Sequence, residues 1–192
     1  MKSSRFFSRI EPWLHKHMRM VLGNSKAVMA DLAAEGIAKD RLELIYNGID
    51  VRSYKTSDLQ NSSRPLTMIK TANLIPYKGH SDLIQALSQF DQEVSDWRML
   101  IVGADRGILA DLKRQADMLG VAAKIDFLGP RDDVTDLLAR ADIGILCSHQ
   151  EGFSNAVLEY MAAGLPTVVT DVGGNAEAVG EAGIIVPAQQ PE

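Results

Sequence analysis

Short apolar runs alternate with amphipathic helical patterns along residues 66–192, and this alternation restricts the chain to one fold class. Apolar runs bounded by turn residues are typical of buried strands, and strand–helix–strand repeats form parallel sheets covered by helices. We therefore predict an α/β fold, a doubly wound, Rossmann-like parallel sheet. Its strands are expected at about 67–73, 98–103, 123–128, 142–147, 166–170 and 184–186, and its helices near 79–90, 107–119, 131–140 and 154–163.

The segment after the fourth predicted strand carries two carboxylates around a helix start. Ser154 and Asn155 are favoured N-cap residues, so free N–H groups should face the crevice at the strand ends and attract phosphate. Glu151 stays on the loop, whereas Glu159 lies roughly 6–8 Å along the helix at about 1.5 Å per residue. Carboxylates accept well from vicinal hydroxyls, which suggests a nucleotide sugar as ligand. The same two glutamates are, by themselves, also typical of solvated loop and helix positions.

The twenty residues from Glu151 to Thr170 read E-G-F-S-N-A-V-L-E-Y-M-A-A-G-L-P-T-V-V-T. They resemble the donor-binding signature of the retaining glycosyltransferases of family 4, the group 1 glycosyltransferases, which have the GT-B fold. The resemblance implies that Glu159 holds the ribose hydroxyls and Glu151 the donor sugar. The other donor-binding residues that it implies in this stretch are Gly152, Phe153, Ser154 and Asn155.

Residues 71–80, T-A-N-L-I-P-Y-K-G-H, resemble the first strand and loop of the family's donor domain. An Arg and a Lys normally hold the donor diphosphate there. Lys78 matches the Lys, whereas Asn73 stands where Arg is usual, and the consequence of that departure stays open. The resemblance implies that Lys78 and the N–H groups around Phe153 to Asn155 stabilise the departing nucleoside diphosphate.

Four further positions, three glycines and an arginine, resemble the family less specifically. Gly103 ends a run like the family's second strand, and Arg131 lies in a loop like the one beside the nucleotide base. Gly103 is most simply a strand-end turn residue, and Arg131 most simply a solvated residue at the N-terminus of a helix. Gly173 and Gly174 indicate either a loop whose backbone approaches a ligand or a plain strand-to-helix turn.

The N-terminal part resembles a different portion of the same family. Residues 21–28 and 44–50 are similar to the last strand, helix and strand of its acceptor-binding domain. We expect a remnant of that domain at 1–50, a Ser-, Thr-, Asn- and Asp-rich linker at 51–64, and a nucleotide-sugar-binding domain at 65–192. Two Rossmann-like domains need more than 192 residues, so we expect a partial glycosyltransferase, truncated at its end and inactive by itself.

The function implied by the resemblance is hexosyl transfer from a nucleotide sugar to an acceptor hydroxyl with retention of configuration. Lys78 and Glu151 would be the catalytic residues, and neither a metal nor a cofactor would be needed. The alternatives are a non-catalytic nucleotide-sugar-binding module, or a sugar-nucleotide epimerase or phosphorylase of the same fold. The nucleotide, the sugar and the acceptor, whether a glycan or a lipid-linked saccharide, stay undetermined.

Charge and composition limit the partners. The net charge of −5 gives no reason to expect nucleic acid, and the single Cys147 excludes an internal disulfide; we expect it to be a small buried hydrophobe. No apolar run is long enough to span a bilayer, so we expect a cytoplasmic protein. The basic, apolar first twenty residues predict a helix packed on the missing domain or peripheral contact with the inner face of a membrane. The apolar surface that met the missing domain would be exposed and would favour self-association, chiefly through Phe6, Phe7, Trp13, Val21 and Leu22.

Overall fold

The computed structural model describes residues 13–15, 17–56 and 64–191. Phe6 and Phe7 therefore lie outside the described residues. The chain divides into two compact units, residues 1–47 and 48–192. Within the described ranges, no helix is both long and apolar enough to cross a membrane.

The smaller unit contains two parallel strands with a helix between them. These are β1 (Val21–Gly23), α1 (Lys26–Ala34) and β2 (Leu42–Leu44), which agrees with the predicted order of strand, helix and strand. Ser25 begins the helix because its hydroxyl accepts a hydrogen bond from the Val28 amide at 3.1 Å. Val21 packs with Leu32 in a small core and is buried, so the prediction that Val21 is exposed is wrong. Trp13 and Leu22 are 59% and 58% exposed, as predicted.

The larger unit contains a sheet of six parallel strands. The strands are β3 (Leu66–Thr71), β4 (Trp97–Val102), β5 (Ile125–Gly129), β6 (Ile143–Leu146), β7 (Thr167–Thr170) and β8 (Gly183–Val186). Their order is β5-β4-β3-β6-β7-β8, and every pair is parallel. This confirms the predicted α/β sheet. Because the winding reverses between β3 and β6, a crevice opens at their carboxyl ends, where sheets of this type bind ligands.

Helices connect successive strands of this sheet. They are α2 (His80–Glu93), α3 (Leu109–Met118), α4 (Val134–Leu138), α5 (Asn155–Ala162) and α6 (Asn175–Val179). The first four lie where the sequence predicts them, although α4 begins three residues later than expected. Arg131 is therefore in the preceding loop rather than in the helix. The last helix, α6, follows Gly174 and was not among the predicted helices.

The core of the larger unit has two layers, one on each face of the sheet. Consecutive strand residues point to opposite faces, so Met68 and Ile69 belong to different layers. Met68 joins the layer under α2 and α3, with Leu83, Ile84, Met99, Ile101 and Leu112. Ile69 joins the layer under α5 and α6, with Leu138, Leu146, Val157, Tyr160 and Val169. Both faces of β3 are therefore buried, and β3 is one of the two central strands of the sheet.

Candidate functional site

Lys78 and Glu151 meet where the loops after β3 and β6 approach each other. The Lys78 Nζ donates to Glu151 Oε1 at 2.6 Å, and the Ser148 hydroxyl donates to the same oxygen at 2.7 Å. The side chains of Lys78 and Glu151 are only 19% and 9% exposed. The two predicted catalytic residues thus form one partly buried, charge-assisted pair at the crevice.

Hydrogen bonds to backbone carbonyl groups hold the Glu151 loop in place from both sides. The His149 amide donates to Tyr77 O at 2.7 Å, which ties the loop to the turn that carries Lys78. On the other side, the Thr170 hydroxyl donates to Ser148 O at 2.6 Å. The Gly174 amide donates to Gly152 O at 2.7 Å. These bonds fix the loop before any ligand is bound.

Two glycines allow this close approach of backbones. Gly79 has φ +68, and a Cβ there would lie 1.8 Å from Cys147 O. Gly173 has φ +54, and a Cβ there would lie 1.8 Å from Glu151 O. A side chain at either position would be strained by the positive φ and would overlap with the neighbouring carbonyl oxygen. For Gly173, left open by the sequence, the backbone that comes close is the Glu151 loop itself.

Helix α5 begins at the crevice as predicted. Ser154 is its N-cap in an extended conformation, with φ −81 and ψ 119, and Asn155 is its first residue. The Ser154 hydroxyl makes no capping hydrogen bond to the helix, so the first-turn amides do not have the partner that an N-cap serine usually provides. Gly152 and Phe153 lead into this helix start and are half-buried. The positive end of the helix dipole therefore lies next to the Glu151 loop.

Glu159 lies on the second turn of α5 and is half-buried. Burial raises the pKa of its carboxyl group, and the carboxyl group has no hydrogen bond or ion pair with any described residue. Burial also raises the pKa of Tyr54, and the nearby Glu159 adds to that effect. A desolvated carboxylate without a partner is costly unless a ligand supplies donors.

Tyr160 anchors this helix to the sheet. Its side chain is fully buried, and its hydroxyl oxygen accepts from the Thr71 amide at 2.7 Å. Thr71 is the last residue of β3, so this bond attaches α5 to the strand that precedes Lys78. This bond also limits the movement of the adjacent Glu159 relative to the sheet.

The remaining predicted site residues contact their own neighbours. Asn73 Oδ1 accepts from the Ala104 amide at 3.0 Å, so this side chain links two loops at the carboxyl ends of β3 and β4. Gly103, with φ +154, lies so close to Ala72 that a Cβ would be 2.1 Å from its carbonyl oxygen. Arg131 is exposed, and its guanidinium forms two hydrogen bonds with Asp133, at 2.7 and 2.6 Å.

Two buried polar residues near the site were not identified from the sequence. Lys70 in β3 is fully buried, and its Nζ donates to Cys147 Sγ at 3.0 Å. Cys147 is half-buried with polar contacts, which corrects the prediction of a small buried hydrophobe. The signal for Lys70 is a lysine inside the apolar run L-T-M-I-K-T.

His80 is the second buried polar residue that was not identified from the sequence. It is the first residue of α2 and is 1% exposed. Its Nε2 donates to Asn73 O at 3.0 Å, and its Nδ1 has no partner among the described residues. Burial lowers its pKa to about 4, and the charges of Lys70 and Lys78 add to that effect. The imidazole is therefore neutral at pH 7. Its position directly after Gly79 is the only signal that the sequence offered.

No three His, Cys, Asp or Glu side chains come together as metal ligands in the described parts of the chain. His149 and Asp82 do form a pair, with Nε2 and Oδ2 2.6 Å apart. That contact joins the Glu151 loop to the first turn of α2, so the pair contributes to the position of the loop.

Solved structures resemble this chain over almost its full length. The Anabaena protein HepE, crystallised in complex with UDP and glucose, superimposes with a TM-score of 0.87 and 27% identity, covering 98% of this chain and 55% of HepE. A sucrose-phosphate synthase from Thermosynechococcus elongatus, 20% identical with a TM-score of 0.85, shares the fold.

The curated relatives of this chain include glycosyltransferases and synthases. The N-acetyl-alpha-D-glucosaminyl L-malate synthase of Bacillus anthracis is 32% identical over 145 residues, which are 72% of this chain and 38% of the relative. The D-inositol 3-phosphate glycosyltransferase of Corynebacterium urealyticum is 28% identical over 195 residues, covering 90% of this chain and 46% of the relative. The chain thus spans less than half the length of these two relatives.

Family models match both parts of the chain. The model of glycosyltransferase family 4 matches residues 1–53. The model of the glycosyl transferases group 1 matches residues 66–192, which is more than half of the chain. The chain therefore belongs to the group 1 glycosyltransferases.

Proposed function

We propose that this chain binds the nucleotide-sugar donor of a hexosyltransferase that retains anomeric configuration. The observation that carries the proposal is the Lys78–Glu151 pair beside the start of α5. One turn further along the helix lies Glu159, whose carboxylate has no partner among the described residues. These groups supply a cation, helix-end amides and two carboxylates in one crevice. A nucleoside diphosphate sugar requires partners of these three kinds.

The diphosphate would lie between Lys78 and the first turn of α5. An ammonium group has three N–H donors, so Lys78 can keep its bond to Glu151 and also donate to a phosphate oxygen. The helix dipole and the amides of the first turn favour the remaining negative charge. With the charge balanced in this way, donor binding needs no divalent metal in this proposal.

The two carboxylates would divide the hydroxyl groups of the donor between them. Glu159 accepts from the ribose hydroxyls, and the bond replaces the solvent that burial has removed from its carboxylate. Glu151 accepts from the donor sugar while Lys78 stabilises the departing diphosphate. Because HepE was crystallised with UDP and glucose, a UDP-hexose is the first donor to test.

Transfer requires an acceptor that these residues do not orient. We propose that residues outside the donor half place the acceptor, and that the 192-residue chain binds donor without transferring sugar. The exposed Trp13 and Leu22 would also promote self-association at high concentration. Light scattering over a concentration series checks the association, and a monodisperse monomer would contradict it.

Calorimetric titration of the chain with UDP, GDP, ADP and UDP-glucose tests the proposal. We expect saturable binding of one diphosphate with an affinity that EDTA does not change. A strict requirement for magnesium or manganese would contradict the metal-free site, and absence of binding by all four ligands would contradict the function. A parallel assay of donor hydrolysis separates a transferase fragment from a module that only binds.

A further inference from the structure

Lys70 and Cys147 are 77 residues apart in the sequence and meet between β3 and β6. The Lys70 Nζ lies 3.0 Å from Cys147 Sγ. Lys70 is fully buried, and this sulfur is its only hydrogen-bond acceptor among the described residues. A buried ammonium normally faces a carboxylate, whereas this one is directed at a thiol.

Cys147 borders an open groove. Its S–H donates to Gly79 O at 3.0 Å, and the residue is only partly buried. The groove is apolar, with a volume of about 330 Å³ on the α2 side of the sheet, and it is also lined by Met68, Leu87, Ile143, Ile145 and Val168. An oxidisable sulfur that lines this groove is therefore already in contact with an amine.

We propose that oxidation by a peroxide joins Lys70 and Cys147 through a nitrogen–sulfur bond. In the first step the sulfur attacks a peroxide oxygen: the S–O bond forms, the O–O bond breaks, and water leaves with the thiol proton. In the second step the Lys70 ammonium first loses one proton to solvent, and the neutral nitrogen then attacks the sulfur while the S–O bond breaks. The hydroxide leaves as water with a second proton from that nitrogen. The sulfur loses two electrons, and hydrogen peroxide is the oxidant.

Such a bond would fasten the end of β6 directly to β3. Ser148, the next residue, donates the hydrogen bond to Glu151, so the cross-link lies immediately beside the donor loop. It would also close a covalent loop across the 77-residue separation, which restricts the unfolded chain. We therefore expect the oxidised protein to melt at a higher temperature than the reduced protein. The cross-link itself does not depend on the proposed donor function.

Peptide mapping of the full chain after hydrogen peroxide treatment tests the cross-link. We expect one joined pair of peptides containing Lys70 and Cys147, with a mass about 2 Da below their sum, and release of both by dithiothreitol. The Cys147→Ser variant controls for oxidation of the eight methionines, because it retains all of them. In Lys70→Leu, Cys147 should instead gain one to three oxygen atoms, each adding about 16 Da.

Peptide mapping of the chain without substitutions tests the cross-link even if a variant folds poorly. Separate peptides, with Lys70 intact and Cys147 carrying only added oxygen, would overturn the proposal. A joined pair that forms equally well in urea-unfolded protein would also overturn it, because the native contact would then have no part in the reaction. Since the chain has a single cysteine, a disulfide within one molecule cannot produce a joined pair.

Discussion

Lys78 and Glu151 form a 2.6 Å ion pair although 73 residues separate them in the chain. The contact exists because β3 and β6 are neighbours in the sheet, so the loops at their carboxyl ends share one crevice. Ser148 holds the carboxylate from a second side. A ligand entering the crevice therefore meets a fixed pair rather than two mobile side chains.

Replacing Lys78 with Met should weaken UDP binding by about 1–3 kcal/mol, because the change removes a charge-assisted donor to phosphate. The matched control is Lys124→Met, since Lys124 also pairs with a carboxylate, that of Asp91, on another part of the surface. Calorimetric titration should give Lys124→Met the affinity of the unmodified chain. Equal UDP affinities for all three proteins would show that Lys78 does not bind the phosphate.

The two glutamates should respond differently to replacement by glutamine. Glu159→Gln should weaken UDP and UDP-glucose binding equally, by about 1–3 kcal/mol, because both ligands carry the ribose. Glu151→Gln should weaken UDP-glucose more than UDP, because only the sugar-bearing ligand reaches it. The measurement is the ratio of the two dissociation constants in each variant. The same ratio in both variants would show that this division of roles is wrong.

Gly173→Ala should destabilise the protein and disturb the donor loop, because the new Cβ would lie 1.8 Å from Glu151 O at a residue with φ +54. Gly120→Ala is the matched control, since Gly120 has φ +76 and no atom near its Cβ position. The free energy of unfolding of the control should fall only by the conformational cost of a left-handed alanine, about 1–2 kcal/mol. Urea unfolding should show a clearly larger loss for Gly173→Ala, together with weaker UDP binding. Similar losses in both variants would mean that the loop moves aside easily.

His80 should make the protein less stable in acid. Its pKa is about 4 in the folded chain, against an ordinary value of 6.5. Below pH 6.5 the His80 side chain is therefore protonated in the unfolded chain while it stays neutral in the folded chain. Its contribution is fully present above pH 6.5 and falls as the pH drops towards 4, by about 3 kcal/mol at 1.36 kcal/mol per pKa unit. His80→Gln keeps a donor for Asn73 O but does not titrate. Urea unfolding from pH 7 to 4 should therefore show a flatter curve for this variant, and parallel curves would contradict the assignment.

Local signals in the sequence located most elements of the larger unit. The start of α5 at Asn155 was predicted because Ser154 and Asn155 are N-cap residues before an apolar helical pattern. The start of α4 was placed too early, near Arg131. In the structure the Arg131 guanidinium bonds to Asp133, and the helix begins only at Val134. Such a pairing inside a loop leaves no periodic pattern.

The sequence by itself determined the fold class, the order of strands and helices, and the loops that carry Lys78 and Glu151. Periodicity, caps and turn residues act over a few residues, so they can be recognised without knowledge of the fold. Only the tertiary structure decided that Lys78 pairs with Glu151, that Gly173 must approach Glu151 O, and that Lys70 is buried against Cys147. Each of these contacts joins loops or strands that become neighbours through the order of the sheet. Their energies depend on desolvation and backbone proximity, which no local pattern encodes.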